Sequence, residues 1–297
     1  MNRPISFLIV IAVYILAAAL GILVFILLKP FINNVIILTF IANICATLVV
    51  WVFGVIFKNS SMYDPYWSVQ PLVIISAWLV INGQPLRFGD MLMLICIGFW
   101  AIRLTYNWAS GFMGLTKTQD WRYTMLREKN PKLFFVTNLF GINLMPTVLV
   151  YLGTVPLYFA IFGNSSFNAF TSLGLLTMVI ATMIQLIADK QMKDFRRDSE
   201  NAQKVMDRGL WAYSRHPNYL GEIVFWWGVY VFSFSNLNTP WYSFVGAVLI
   251  ALLFLFISIP MIEKKLLKTR SGYEEYKQRV SMLLLLPPKK SKSPAQD

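Results

Sequence analysis

Arg215, His216, Asn218 and Glu222 all fall in the nine-residue run Ser214–Glu222, Ser-Arg-His-Pro-Asn-Tyr-Leu-Gly-Glu, between two strongly apolar stretches. Lipid-facing sequence does not tolerate such a cluster, so it must face a cavity or the membrane surface. Pro217 disfavours helical geometry at His216 and suits a first helical turn, which predicts a helix start at this point. A helix N-terminus presents unpaired N–H groups and the positive end of its dipole. With Arg215 and His216 beside it, that end makes a seat for a phosphate or carboxylate. Asn218 and Glu222 stand four apart on one inward face, where an amide and a carboxylate can bond an amide or a ribose. The simpler alternative is a capping cluster that only closes a helix end.

Three further groupings carry chemistry. Asp189, Lys193, Arg196 and Glu200 are spaced to share one face of a helix leaving the membrane. They form either a solvated ladder of ion pairs or a phosphate-grasping face with Arg196 or Arg197 as the forked donor. Tyr63-Asp64-Pro65-Tyr66-Trp67-Ser68 opens another apolar stretch. Asp before Pro is a helix-start signature, yet a buried carboxyl there can stay protonated and polarise a carbonyl. The third is Trp100-Ala-Ile-Arg103-Leu-Thr-Tyr106-Asn107, where a guanidinium one or two turns deep seeks an acid or a ligand phosphate. Tyr273 and Tyr276, three apart, either pack on the membrane surface or cover a flat ring.

The elements that must position these residues are membrane helices. Apolar residues make up 57% of the 297 positions and charged residues 13%, about half the usual charge of a soluble domain. Apolar runs long enough to cross a bilayer predict an all-α bundle of about eight transmembrane helices. They are expected near 5–28, 32–57, 65–82, 89–107, 136–162, 167–188, 218–235 and 241–262, the first retained rather than cleaved as a signal segment. Residues 1–288 read as a single membrane-embedded domain and 289–297 as a basic, disordered tail.

The formal net charge of +12 does not signal nucleic acid. Of 26 Lys and Arg, five lie in 108–133, seven in 189–221 and nine in 263–297, which is the pattern of loops on the cytoplasmic side. That pattern places both termini in the cytoplasm and favours anionic lipid head groups as partners. Cys45 and Cys96 sit in apolar runs. With one His and no clustered Cys, a protein-held metal is not expected. Oligomeric state is not readable from an apolar surface that faces lipid.

Taken together the chain resembles the steroid 5-alpha-reductase-like family, in its bacterial DUF1295 branch. The residues that carry the resemblance are Asp64-Pro-Tyr66-Trp-Ser, Trp100-Ala-Ile-Arg103-Leu, Ala188-Asp189-Lys-Gln with Phe195-Arg196, Gly209-Leu-Trp through Glu222, and Glu263-Lys-Lys-Leu-Leu with Gly272, Tyr273 and Tyr276. The resemblance implies an integral protein of a bacterial inner membrane, working in lipid metabolism, whose active site opens to the cytoplasm. It implies NADPH as cofactor and reduction of a conjugated C=C bond in a hydrophobic, steroid-like or other enone substrate. Hydride then goes to the β-carbon while an acidic side chain polarises the carbonyl. It matches Asp189, Arg196, Asn218 and Glu222 to cofactor-binding positions, and Lys193, Arg197, Arg215, His216, Tyr219 and Tyr276 join them as candidates from the same segments. Asp64, Tyr66, Trp100 and Arg103 go to the catalytic side, with Asp64 standing where relatives keep a glutamate and Trp100 where they keep a tyrosine. The rival resemblance is to S-adenosylmethionine-dependent membrane methyltransferases of the isoprenylcysteine or phospholipid type, which also carry an Arg-His-Pro-x-Tyr segment. No Rossmann Gly-x-Gly-x-x-Gly occurs, so a nucleotide would be held by the helical scaffold.

Overall fold

The computed structural model describes residues 2–289; the predicted basic tail therefore lies, apart from Lys289, outside the described residues. Apolar sequence of this length can satisfy its backbone inside lipid only as helix. The chain forms α1 (Arg3–Leu28), α2 (Val35–Ile56), α3 (Tyr66–Asn82), α4 (Phe88–Gly111) and the short α5 (Trp121–Lys129). Then follow α6 (Phe134–Phe162), α7 (Ala169–Arg197), α8 (Pro217–Ser233), α9 (Trp241–Thr269) and the short α10 (Tyr273–Arg279). Among the described residues there is no strand, only a single bridge between Ser214 and Ser281. This is a multi-pass membrane helical bundle.

Eight long helices match the eight expected, and among the described residues six are long and apolar enough to cross a bilayer: α1, α2, α4, α6, α7 and α9. The other two, α3 and α8, have 17 residues each. Both begin inside a polar motif, Tyr63–Ser68 for α3 and Ser214–Glu222 for α8, so that their first turns are polar. Helix α8 is the central one, burying Phe225, Trp226, Val229 and Phe232 against its neighbours.

Close approach of α7 and α8 is what brings their polar residues together. Small residues line this seam, as they do where membrane helices pack on backbone contact rather than on side-chain bulk. A Cβ on Gly221 would lie 2.5 Å from Gln185 Cγ and 2.7 Å from the Ala181 carbonyl oxygen. Gly221→Val should therefore act as overpacking and cost about 1–3 kcal/mol. The expected readout is a lower thermal midpoint, with the largest loss of order at Gln185; an unchanged midpoint would show that the seam can open.

Helix α9 carries a wide turn at Phe254–Ser258, and α6 another at Thr137–Leu144. Such insertions re-aim the side chains that follow them and recur near functional sites. Phe254 packs on Tyr219 at 4.8 Å, so the α9 turn abuts the polar end of α8.

Candidate functional site

Three helices meet at a buried ionic node. Arg103 of α4 reaches Asp189 of α7 with one guanidinium nitrogen at 2.5 Å and Glu222 of α8 with another at 3.3 Å. Trp100 donates its indole N–H to the same Glu222 at 3.0 Å, and Gln185 donates its amide at 2.8 Å. Asn107 completes the set by donating to Asp189. Arg103 and Glu222 are almost wholly buried, so each charge depends on the other for its tolerance in low dielectric.

The node joins residues that the sequence assigns to different roles. Trp100 and Arg103, expected near a substrate carbonyl, are bound to Asp189 and Glu222, expected near a cofactor. Trp100 is fully buried, stacked on Phe225 at 4.9 Å, and its only polar atom is engaged. It therefore holds Glu222 in place rather than facing a ligand. Glu222 lies one helical turn below Asn218 and does not line the cavity described next.

Above the node opens a cavity of about 620 Å³. Asp189 and Asn107 form part of its floor, and Lys193, Arg196, Arg197, Lys204, Arg215 and Arg270 bring six cations to its wall against that one carboxylate. His216, Asn218, Tyr219, Tyr273 and Tyr276 line it too. Nine of the ten residues expected at a cofactor thus surround one space, Glu222 being the exception.

Their roles within the wall differ. Arg215 is consumed by structure: its Nε donates to Glu263 at 2.8 Å, and its Nη1 donates to the Lys277 and Val280 carbonyls. His216 meets the same Glu263 at 3.1 Å, and burial pushes its imidazole below the ordinary range against the pull of that carboxylate. Tyr276 donates its hydroxyl to the Trp211 carbonyl at 2.6 Å. These three fasten α10 and the segment after it to the start of α8; they do so by tertiary bonds, and His216 at the N-cap of α8 makes no side-chain capping bond. Arg197 pairs with Asp194 at 3.0 Å, and Lys193 sits over the Tyr106 ring at 5.3 Å.

The side chains of Arg196, Lys204, Arg270 and Asn218 make no hydrogen bond or ion pair among the described residues. Arg196 and Arg270 stand close enough for their charges to repel. Two adjacent, uncompensated guanidiniums and a free amide on one cavity are the marks of an anion site with an amide reader. The expected Asp189–Glu200 face ends early, because α7 stops at Arg197 and Asp198 caps a short turn instead.

Asp64 and Tyr66 lie beside this cavity rather than in its wall. Tyr66 packs in a cluster with Tyr14 and Tyr63. Asp64 accepts a 2.5 Å hydrogen bond from Tyr123 of α5, and burial pushes its carboxyl up to about 7 despite the nearby Arg122. Arg122 and Asp120 also act electrostatically on Tyr219, so the Asp64 region adjoins the cavity through that ring. Gln185 and Lys204 are not singled out by the sequence, and Arg270 and Tyr123 take no assigned role from it. Only Gln185 gave a signal, a lone amide deep in an apolar run.

A membrane helical bundle with a cation-lined cavity over a buried carboxylate–guanidinium node is the class that fold and site define. The family described as "Protein of unknown function (DUF1295)" matches residues 50–280, more than half of the chain, and the chain belongs to that family. It is similar to the "Uncharacterized protein C594.04c" of Schizosaccharomyces pombe (strain 972 / ATCC 24843), with 26% identity over 248 residues covering 74% of this chain and 70% of that protein. No solved structure matches the chain.

Proposed function

We propose that the chain is a membrane-embedded, NADPH-dependent reductase of a conjugated C=C bond in a hydrophobic substrate, of the steroid 5-alpha-reductase-like type. The observation that carries this reading is the cavity with three unpartnered cations and one unpartnered amide above an ionic node. Its residues fit the cofactor. Arg196, Lys204 and Arg270 would hold phosphate oxygens, Asn218 would bond the nicotinamide amide, and Tyr219 would offer a flat apolar wall. The cofactor, when bound, supplies a hydride. The Arg103 node does not touch it in this scheme; it fixes the floor that Asp189 and Asn107 share with the cavity.

Asp64 is the proton donor. It would give its proton to the substrate carbonyl oxygen and take it back from the enol hydroxyl as the α-carbon is protonated from water, which restores both the ketone and the donor form. A carboxyl titrating at about 7 is protonated often enough at neutral pH to serve. The cytoplasm is the side from which a charged nucleotide would enter, given where the basic loops fall.

S-adenosylmethionine transfer is the second reading, and the charge balance weighs against it. That molecule carries a sulfonium and an ammonium with one carboxylate, whereas the wall holds six cations and one acid. Thermal unfolding of the detergent-purified chain with NADPH, NADH or S-adenosylmethionine tests the choice. NADPH at a hundredfold excess over its dissociation constant should add about 2.7 kcal/mol of apparent stability. Asn218→Ala should weaken NADPH roughly tenfold while leaving the unliganded midpoint unchanged. Stabilisation by S-adenosylmethionine alone would sink the reductase reading.

A further inference from the structure

The segment from the end of α4 into α5 is fastened to the loop that carries Asp64. Asn59, 2% exposed, donates to the Leu115 and Thr118 carbonyls at 2.6 and 2.7 Å. Asp120 donates its backbone N–H to the Ser61 hydroxyl at 2.7 Å. The last bond in this series runs from the Tyr123 hydroxyl to Asp64 Oδ1 at 2.5 Å. Tyr123 is buried, so its hydroxyl has no competing water.

Ser61 also hydrogen-bonds the Asp64 carboxyl, whereas the charged and aromatic groups around it are engaged elsewhere. Arg122 is turned away into a forked pair with Asp120, at 2.8 and 3.0 Å. Tyr14 of α1 donates to the Met62 carbonyl, and Tyr63 bonds Thr147. Tyr66 packs against both rings by its edge. The phenol of Tyr123 and the Ser61 hydroxyl are the groups that bond the carboxyl, and the short bond is the phenol's. Because Tyr123 donates to Oδ1, it favours Oδ2 as the oxygen that carries the acid proton.

We propose that Tyr123 is a positioning residue for Asp64, selecting which oxygen carries the proton and in which direction it is presented. The inference rests on the reading of Asp64 as the proton donor. It makes the reaction depend on a segment outside the bundle, delivered onto Asp64 by Asn59 and Ser61. When Oδ2 loses its proton, the carboxylate left behind keeps the Tyr123 bond and the nearby Arg122 charge, so both favour release. Turnover should then fall as pH rises through about 7, as the donor form disappears.

An infrared pH titration of the full-length, detergent-purified protein tests this. The protonated-carboxyl band of Asp64 is identified by its loss in Asp64→Asn. Tyr123→Phe should move its midpoint upward by about one pH unit, because the lost bond favours the carboxylate. A fluorinated tyrosine at position 123 keeps the ring and donates more strongly, so it should move the midpoint down and serves even if the phenylalanine variant does not fold. A midpoint unmoved by the fluorinated residue overturns the proposal. NADPH stabilisation is read on the same samples and should be equal in wild type and Tyr123→Phe. Its absence in wild type, with the titration shifting as expected, would remove the reductase reading and leave the Asp64–Tyr123 coupling in place.

Discussion

Arg103→Met should cost the protein about 3–5 kcal/mol, the largest stability effect expected of any single substitution in the bundle. Arg103 is the only cation bonded to both Asp189 and Glu222, at 2.5 and 3.3 Å, and it is 6% exposed. Methionine keeps much of the apolar stem and removes the charge, leaving Glu222 without a counter-ion in a space sealed by Trp100 and Phe225, and Asp189 without its ion pair at the cavity floor. Trp100 and Gln185 still donate to Glu222, but neutral donors do not balance a buried charge. The deficit should shrink in acidic buffer, where protonation removes the unbalanced charge. Adding Glu222→Gln to Arg103→Met should recover part of the loss, since an amide can still accept from Trp100. Thermal unfolding followed by tryptophan fluorescence reads all three variants. A double variant no more stable than the single would mean that the node is held by packing rather than by charge.

This arrangement was partly legible in the sequence, and where it was not the reason is physical. Asn218 and Glu222, four apart, announce a shared inward face, and both do point inward. What spacing cannot convey is depth: one turn takes the chain from a free amide in the cavity to a carboxylate in the node. That depth depends on how closely α7 meets α8, which Gly221 decides by what it lacks. Arg215 and His216 read as anion ligands because their partner, Glu263, comes from a helix 47 and more positions later. Local pattern does not see such pairings. The helices themselves were readable because hydropathy is a property of each segment alone. The lengths that depart most are those of α4, α7 and α9, which run past the expected ends at 107, 188 and 262 to Gly111, Arg197 and Thr269, because their more polar last turns stay helical beyond the apolar span. Tyr123 lay in a stretch with no periodic signal, and its importance arises from the fold of a loop against another loop.

Removing Arg196 and Arg270 together should separate NADPH from NADH. Both line the cavity wall, neither has a partner, and Arg196 is exposed toward its mouth. A phosphate placed between them relieves their mutual repulsion and gains charge-assisted bonds that each side chain now lacks. Each such bond is worth about 1.5–3 kcal/mol, so each alanine variant should weaken NADPH about 10- to 150-fold. NADH shares the pyrophosphate but lacks the 2′-phosphate. If the pair reads the 2′-phosphate, NADH affinity stays near its wild-type value and the preference between the two collapses in Arg196→Ala/Arg270→Ala. Equal losses for both nucleotides would move the pair to the pyrophosphate and pass the 2′-phosphate to Lys204. The unliganded double variant should be no less stable than wild type, and slightly more so, because it loses only a repulsion. An unchanged NADPH affinity would make the cavity's positive wall a feature of the membrane surface, drawn to lipid head groups rather than to a nucleotide.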